Sequence, residues 1–256
     1  MDQHLLTSHE EIDRKHFDTI TPCYVRKDLR WASRLARRLR LEQTLSVVPA
    51  VDAVRVLEVG CGAGFSADYL ANPQIDYVGI DYSENLIKYA KQHHARDQAR
   101  FEVANARTYT CDQPFDVVFM IGVLHHFQDI DLIVRHLVTL LKRGGWFVAN
   151  EPQPSNALIR VARKLRKSID PSYTKEQAQL TAEQLRGVYS RAGLTEVVTK
   201  AQGFLSTPFA EVPLKPHVLA IPLSSCACLF DKILFSSGAS VLAKLSWNVV
   251  AAGRKP

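Results

Sequence analysis

The chain lacks the cysteine pairing of a disulfide scaffold. Its five cysteines (Cys23, Cys61, Cys111, Cys226 and Cys228) are scattered and odd in number, which suits a reducing compartment. Only Cys226 and Cys228 are close, and a Cys-x-Cys pair without neighbouring ligands is a poor zinc signal, so no metal is expected. The opening residues, "MDQHLLTSHEEIDRKHF", carry neither a basic n-region nor an apolar h-region, which predicts no secretory signal and a cytoplasmic location. Also missing is a long charge-free apolar run. The most apolar stretch, "HVLAIPLSSCACLFDKILF", is interrupted by Pro222 and closed by Asp231 and Lys232, short of the roughly twenty residues that a bilayer span needs. It reads as a helix buried under a cover, with the wall of a ligand pocket or a peripheral membrane contact as open alternatives. Repeats and low-complexity tracts are absent too. What is left, 256 residues with 46% apolar and 23% charged, is an ordinary globular chain with a substantial core.

The formal charge of +6 is concentrated in two runs. Arg26, Lys27, Arg30, Arg34, Arg37, Arg38 and Arg40 form the first; Arg160, Arg163, Lys164, Arg166 and Lys167 form the second. They read as solvated helix faces, with an anionic ligand or a membrane surface as the alternative. Neither run is interleaved with the aromatics that stack bases, which argues against nucleic acid. No pattern speaks to oligomeric state.

Apolar residues recur at helical steps from Leu29 to Leu45, predicting an amphipathic helix that covers the sheet. Strands are predicted at Val54–Val59, Ile75–Asp81, Ala99–Ala104, Phe115–Ile121 and Trp146–Asn150. Helices are predicted between them at Gly64–Ala71, Glu84–His94 and Ile130–Leu141, the last closed by "KRGG". Alternating β and α elements imply a parallel sheet with helices on both faces, an α/β fold. After Glu151 a proline-rich excursion with a basic amphipathic helix leaves the sheet. A capped helix starts at Thr181, with Gln184 completing the capping box, and "LTEVVTKAQ" and "WNVVAAG" read as two more strands. The expected organisation is a single domain over 1–256, with an N-terminal helical cover at 1–50, a core at 51–151, and insertions at 152–180 and 203–245.

"VLEVGCGAGF" raises the question of a ligand. Gly60, Gly62 and Gly64 follow a strand and open a helix, where glycine permits a tight turn and lets backbone N–H groups approach a bound molecule. A nicotinamide fingerprint would place glycine or alanine where Phe65 stands. Glu58, ahead of the glycines, would repel a pyrophosphate and welcome a cationic ligand.

These residues resemble the first motif of the class I S-adenosylmethionine-dependent methyltransferases, an acid followed by G-x-G-x-G, matched by Glu58, Gly60, Gly62 and Gly64. The likeness continues in order. Asp81 ends the second strand in "YVGIDYSENLIKYA", "FEVANA" follows the third with Asn105 where the family often has aspartate, and "FDVVFMIGVLHHF" and "LLKRGGWFVANEP" follow. "FDTITPCY" near the start is similar to the entry segment of the ubiquinone-biosynthesis type, methyltransferase type 11. The resemblance implies a Rossmann-like sheet of seven mostly parallel strands with the last antiparallel.

It also implies S-adenosyl-L-methionine as cofactor and S-adenosyl-L-homocysteine as product. The residues expected to hold the cofactor are Tyr24, closing over it; Glu58, through charge and water; Gly60, Cys61, Gly62 and Gly64; Asp81 and Tyr82, at the ribose; Asn105 and Ala106, at the adenine, with the amide oxygen accepting from the amino group; and the backbone around Met120 and Ile121. Methyl transfer to oxygen or to an acidic carbon releases a proton, and neutral imidazole suits its capture. His125 and His126 stand where the family places acceptor-facing residues, with His126 favoured as base and His125 against the cofactor; both as structural residues is the competing reading. Cationic helices beside an apolar wall imply a small-molecule or lipid-like acceptor. An RNA or protein methyltransferase, or a silent cofactor-binding partner subunit, is the alternative, although "IGVLHHF" lacks the N/D-P-P-Y/F motif of amino-methylating DNA enzymes.

Overall fold

A computed structural model describes residues 7–49, 54–154, 159–160, 179–212, 216–237 and 240–256. Its centre is a seven-stranded sheet in the order β3-β2-β1-β4-β5-β7-β6. The strands are β1 (Val54–Val59), β2 (Ile75–Asp81), β3 (Ala99–Val103), β4 (Phe115–Ile121), β5 (Leu141–Pro152), β6 (Thr195–Gln202) and β7 (Asn248–Arg254). Pairs among β1 to β5 are parallel, whereas β7 runs antiparallel to both β5 and β6. The order reverses between β1 and β4, and in a parallel sheet the crevice beyond the carboxyl ends of such strands receives ligands.

The strands are apolar runs because both faces are covered. One face packs Leu57, Val118, Phe147 and Ala251 against α5 (Ile130–Thr139) and α6 (Ala182–Arg191). The other packs Val56, Phe119, Val148 and Val250 against α2 (Trp31–Leu45), the short α3 (Phe65–Tyr69) and α4 (Glu84–His93). Capping residues start these elements as the sequence predicts: Thr181 and Gln184 form a reciprocal capping box on α6, satisfying backbone donors that the first turn leaves open.

Helix α1 (Ser8–Asp28) carries a second capping box, Thr7 with Glu10, and lies across the carboxyl end of the sheet. It is pinned by Asp18 to Ser83 (2.6 Å) and by Glu10 to Arg107 (2.8 Å). After β6, the short α7 (Thr207–Glu211) and the long α8 (His217–Ser237) return toward α2.

Three details differ from the sequence reading. "KRGG" lies inside β5 rather than closing α5, which stops at Thr139: Leu141 already pairs with Phe115, and the register shifts before Val117 meets Trp146. The apolar stretch forms one helix through Pro222, and it is mostly exposed rather than buried under a cover. Within the first basic run, Lys27 is buried, Arg37 grips Asp28 and Arg40 pairs with Glu211, so these three are not solvated. The second run, expected on a basic helix, lies outside the described residues apart from Arg160.

Candidate active site

A cleft follows the carboxyl edge of the sheet in three adjoining compartments. The first, between β2 and β3, is lined by Asp81, Tyr82, Asn105 and Ala106. The middle one adds Gly62, Tyr24, Asp13 and His126. The third spreads under α1, α2 and α7 and includes Glu58, Cys61, Arg37, Arg40, His125 and Glu211. Gly60 borders all three, and Ile121 the second and third.

Glycine is needed at the turn for two physical reasons. Gly60, Gly62 and Gly64 all have positive φ, a region costly for residues with a Cβ. A Cβ on Gly60 would stand 2.5 Å from Val123, and one on Gly62 would stand 3.3 Å from the Tyr24 ring. Gly64 serves helix–strand packing instead, since its Cβ would collide with Phe101 and Ala90 at 2.7 and 2.8 Å.

Asp81 accepts from the backbone N–H groups of Gly62 (3.0 Å) and Ser83 (2.8 Å), one on each oxygen. Burial nevertheless pushes its carboxyl up to about 6, and each oxygen keeps a lone pair for a further donor. Glu58 is more enclosed. It accepts from Ser66 Oγ (2.9 Å) and from the Tyr77 hydroxyl, while burial pushes it up to about 7. Near neutrality, therefore, the free protein holds Glu58 poised between its two protonation states.

Asn105 departs from expectation. Its oxygen accepts from the Arg107 N–H (2.9 Å) in a local turn, while its buried Nδ2 has no partner. The group it offers a ligand is thus a donor. Ile121 and Gly122 border the second and third compartments, whereas the Met120 side chain is wholly buried in the core, which leaves its backbone for the expected role. Cys61 is a buried small side chain whose thiol burial pushes well up, the opposite of an activated nucleophile.

The two histidines each face a carboxylate through Nδ1. His125 donates to Glu151 at 2.7 Å, and His126 to Asp13 at 2.8 Å, with ring centroids 4.3 Å apart. Glu151, fully buried at the end of β5, also accepts the backbone N–H groups of Val123, Leu124 and His125 at 2.9–3.3 Å. Burial raises its pKa, but His125 and those N–H groups outweigh that, holding Glu151 below the usual carboxylate range. Burial also moves His125 below the ordinary imidazole value, against the pull of Glu151. The pair is therefore a neutral imidazole on an ionised carboxylate, with Nδ1–H fixed as donor. The buried Nε2 of His125 has no partner.

Glu151 and Asp13 are functional candidates that the sequence does not single out. Glu151 had a signal: it ends the strand beside the one carrying "LHH". Asp13 had none, being 113 residues from His126.

The cleft suits a nucleoside with a cationic tail. Asp81 offers acceptors for hydroxyls, Asn105 an unsatisfied donor beside the apolar Ala106, and Glu58 a carboxyl that a positive charge would ionise. Residues 57–147 match the family described as Methyltransferase domain. The fold and this match are those of the class I S-adenosylmethionine-dependent methyltransferases, a class whose cofactor is S-adenosylmethionine.

Within the class, the chain is similar to the ubiquinone-biosynthesis type. It is 30% identical over 162 residues to ubiquinone biosynthesis O-methyltransferase of Albidiferax ferrireducens, covering 60% of this chain and 64% of that protein. It is 32% identical over 145 residues to trans-aconitate 2-methyltransferase of Variovorax paradoxus, covering 52% and 55%. The chain thus spans between about half and two thirds of the length of these relatives. A methyltransferase structure from Thermotoga maritima, described as a possible histamine N-methyltransferase, superposes with a TM-score of 0.66 at 19% identity, covering 95% of this chain and 100% of that one.

Proposed function

We propose that this chain methylates an oxygen or an acidic carbon of a small-molecule or lipid-like acceptor, with His125 as general base and Glu151 as its positioning residue. The observation that carries this reading is the neutral, carboxylate-anchored imidazole whose unpartnered Nε2 belongs to a side chain on the third compartment. S-adenosylmethionine supplies the methyl group as a sulfonium and leaves as S-adenosylhomocysteine. His125 Nε2 takes the acceptor's proton as the nucleophile bonds to the methyl carbon, and Glu151 stabilises the imidazolium that forms. His126, tied through Asp13 to α1, holds the acceptor against the cover.

Asp81 and Tyr82 take the ribose, the Asn105 amide donates to an adenine ring nitrogen beside Ala106, and Gly60, Gly62 and Cys61 leave room for the methionine moiety. Tyr24, held under the Arg37 guanidinium at 5.2 Å, closes that end. The third compartment takes the acceptor, with Arg40, whose buried Nε is unpaired, as a polar contact. Relatives named for ubiquinone biosynthesis and for trans-aconitate support an acceptor that is not a polymer.

The test is S-adenosylhomocysteine release with phenols, quinone precursors, organic acids, sugars and lipid extracts, after calorimetry of cofactor binding. Turnover with one class, lost in His125→Ala while cofactor binding persists, is the expected result. Full turnover in that variant contradicts the base assignment, and cofactor binding without turnover on any acceptor favours the silent-subunit alternative.

A further inference from the structure

Helix α8 is built inside out for a protein surrounded by water. The stripe that faces the protein is small or polar: Ala220, Ser224, Ala227, Cys228 and Asp231 are buried, with only Phe235 large. The outward face carries Val218, Leu219, Leu223, Leu229, Phe230 and Ile233, from 44% to 81% exposed. Seven of the fifteen exposed large apolar side chains among the described residues lie on this one helix, so the patch is a concentration and not a scatter. Contiguous exposure on this scale marks an interaction surface.

Charge chooses among the occupants. The only acid on α8, Asp231, points inward and accepts the N–H groups of Phe204, Leu205 and Ser206 at 2.9–3.0 Å. The only charged residue on its exposed face is Lys232. Beside it α2 runs in the same direction, joined by Ser224 Oγ to the Ala32 carbonyl (2.8 Å) and by Gln43 Nε2 to the Asp231 carbonyl (3.1 Å). Ala32, Ala36, Leu39 and Gln43 form the α2 stripe on that side. About 100° further round, at helical spacing, comes an outer stripe of Trp31, Leu35, Arg38 and Glu42, in which Arg38 pairs with Glu42 at 2.7 Å. Trp31 is 73% exposed, with the Arg34 guanidinium 5.8 Å from its ring.

An apolar helix flanked by an exposed tryptophan and by arginines is the composition of an interfacial helix. We infer that α8 and the outer stripe of α2 dock on an anionic bilayer surface, with the apolar face at the acyl boundary and the cations among the headgroups. Helix α8 is long and apolar enough to cross a membrane by length and composition. Its bonds to α2, and the Asp231 caps on residues 204–206, keep it on the protein, so it lies on the bilayer. A second copy fits less well, since a two-fold contact through this face would bring the arginines of the two α2 helices toward each other. The inference stands apart from the methyl-transfer reading, although α7, whose Thr207 and Glu211 line the third compartment, connects that compartment to α8. A lipid-borne acceptor would arrive on that side.

The experiment is co-sedimentation of the full chain with phosphatidylcholine vesicles and with vesicles that also contain phosphatidylglycerol, at low and high salt. The paired variant Leu223→Glu with Ile233→Glu alters only exposed positions. Circular dichroism and cofactor calorimetry check that it folds, and they keep docking distinct from the site. The expected result is binding to the anionic vesicles that weakens with salt, with the paired variant partitioning roughly tenfold or more less strongly. Absence of wild-type binding to both vesicle types overturns the inference, as does equal binding by the folded variant. A wild-type dimer by light scattering that the variant converts to monomer, without vesicle binding, assigns the face to a second copy and overturns it as well.

Discussion

In the compartment beside β2 and β3 the polar side chains Asp81 and Asn105 are fixed by main-chain N–H groups within about twenty residues of them along the chain, whereas the one beneath α1, α2 and α7 is built of long polar side chains held in pairs between separate helices. In the first, positive-φ turns, two N–H groups on Asp81 and a local turn at Asn105 make a surface with few movable parts. In the second, Arg37 on Asp28, Arg40 on Glu211 and His126 on Asp13 bring together segments up to 171 residues apart. The lesson is a division of labour. On the proposed reading, a cofactor shared by a whole class is met by main-chain geometry, and an acceptor particular to one enzyme is met by side chains that can be exchanged without altering the sheet.

Removing His125 tests that division most severely. His125→Ala should lower turnover by roughly 100-fold or more, the range for loss of a general base, while cofactor affinity by calorimetry stays within about twofold; His126→Ala should cost less turnover. Equal losses in the two variants would erase the distinction between the histidines.

Stability comes next. Arg37→Ala leaves Asp28 buried without its partner and should cost roughly 3 kcal/mol in denaturant unfolding. Arg38→Ala, one residue on, removes only an exposed pair with Glu42 and should change stability by less than about 0.5 kcal/mol. Similar values would return both arginines to the solvated class.

Asp81→Ala should weaken S-adenosylmethionine binding by roughly 100-fold, two charge-assisted hydrogen bonds being lost, and unchanged affinity would reject the ribose assignment. The smallest effect concerns Glu58. Its folded pKa of about 7 lies above the ordinary 4.5, so the folded protein binds more protons than the unfolded one between those values. Stability conferred by the protonated form is complete below 4.5 and lost as pH rises through about 7. Glu58→Gln should therefore match wild type at low pH and become the more stable free protein on going to pH 8. A variant equally stable relative to wild type at both ends would show that Glu58 ionises freely.

Much of this was legible in the sequence, for reasons that particular residues make plain. The strand from Val54 to Val59, the glycine turn and Asp81 are read within thirty residues because β-branched runs and glycine constrain the local backbone. Asn105 lies on the cleft, but the direction of its free group depends on the Arg107 N–H, which spacing does not show. Consecutive strand residues point to opposite faces, so the core takes the Met120 side chain and leaves its backbone for the expected role. The partner of His126 and the burial of Arg37 and Arg40 arise only when α1, α2 and α7 meet over the sheet. Helix α8 misled for a related reason: hydropathy counts apolar residues, and only packing decides which side they face.

The central claim is that burial keeps His125 neutral while Glu151 orients it as the base. The most direct measurement is the pH dependence of kcat for wild type and Glu151→Gln, with an acceptor found by S-adenosylhomocysteine release. Wild type should show an acid limb with an apparent pKa below the ordinary imidazole value of 6.5, because the base must be unprotonated and burial lowers it. Glu151→Gln, still able to accept from Nδ1 but without charge, should have a lower plateau and a limb moved further toward acid. Superimposable profiles for the two proteins, or a wild-type rate flat through that range, would contradict the assignment.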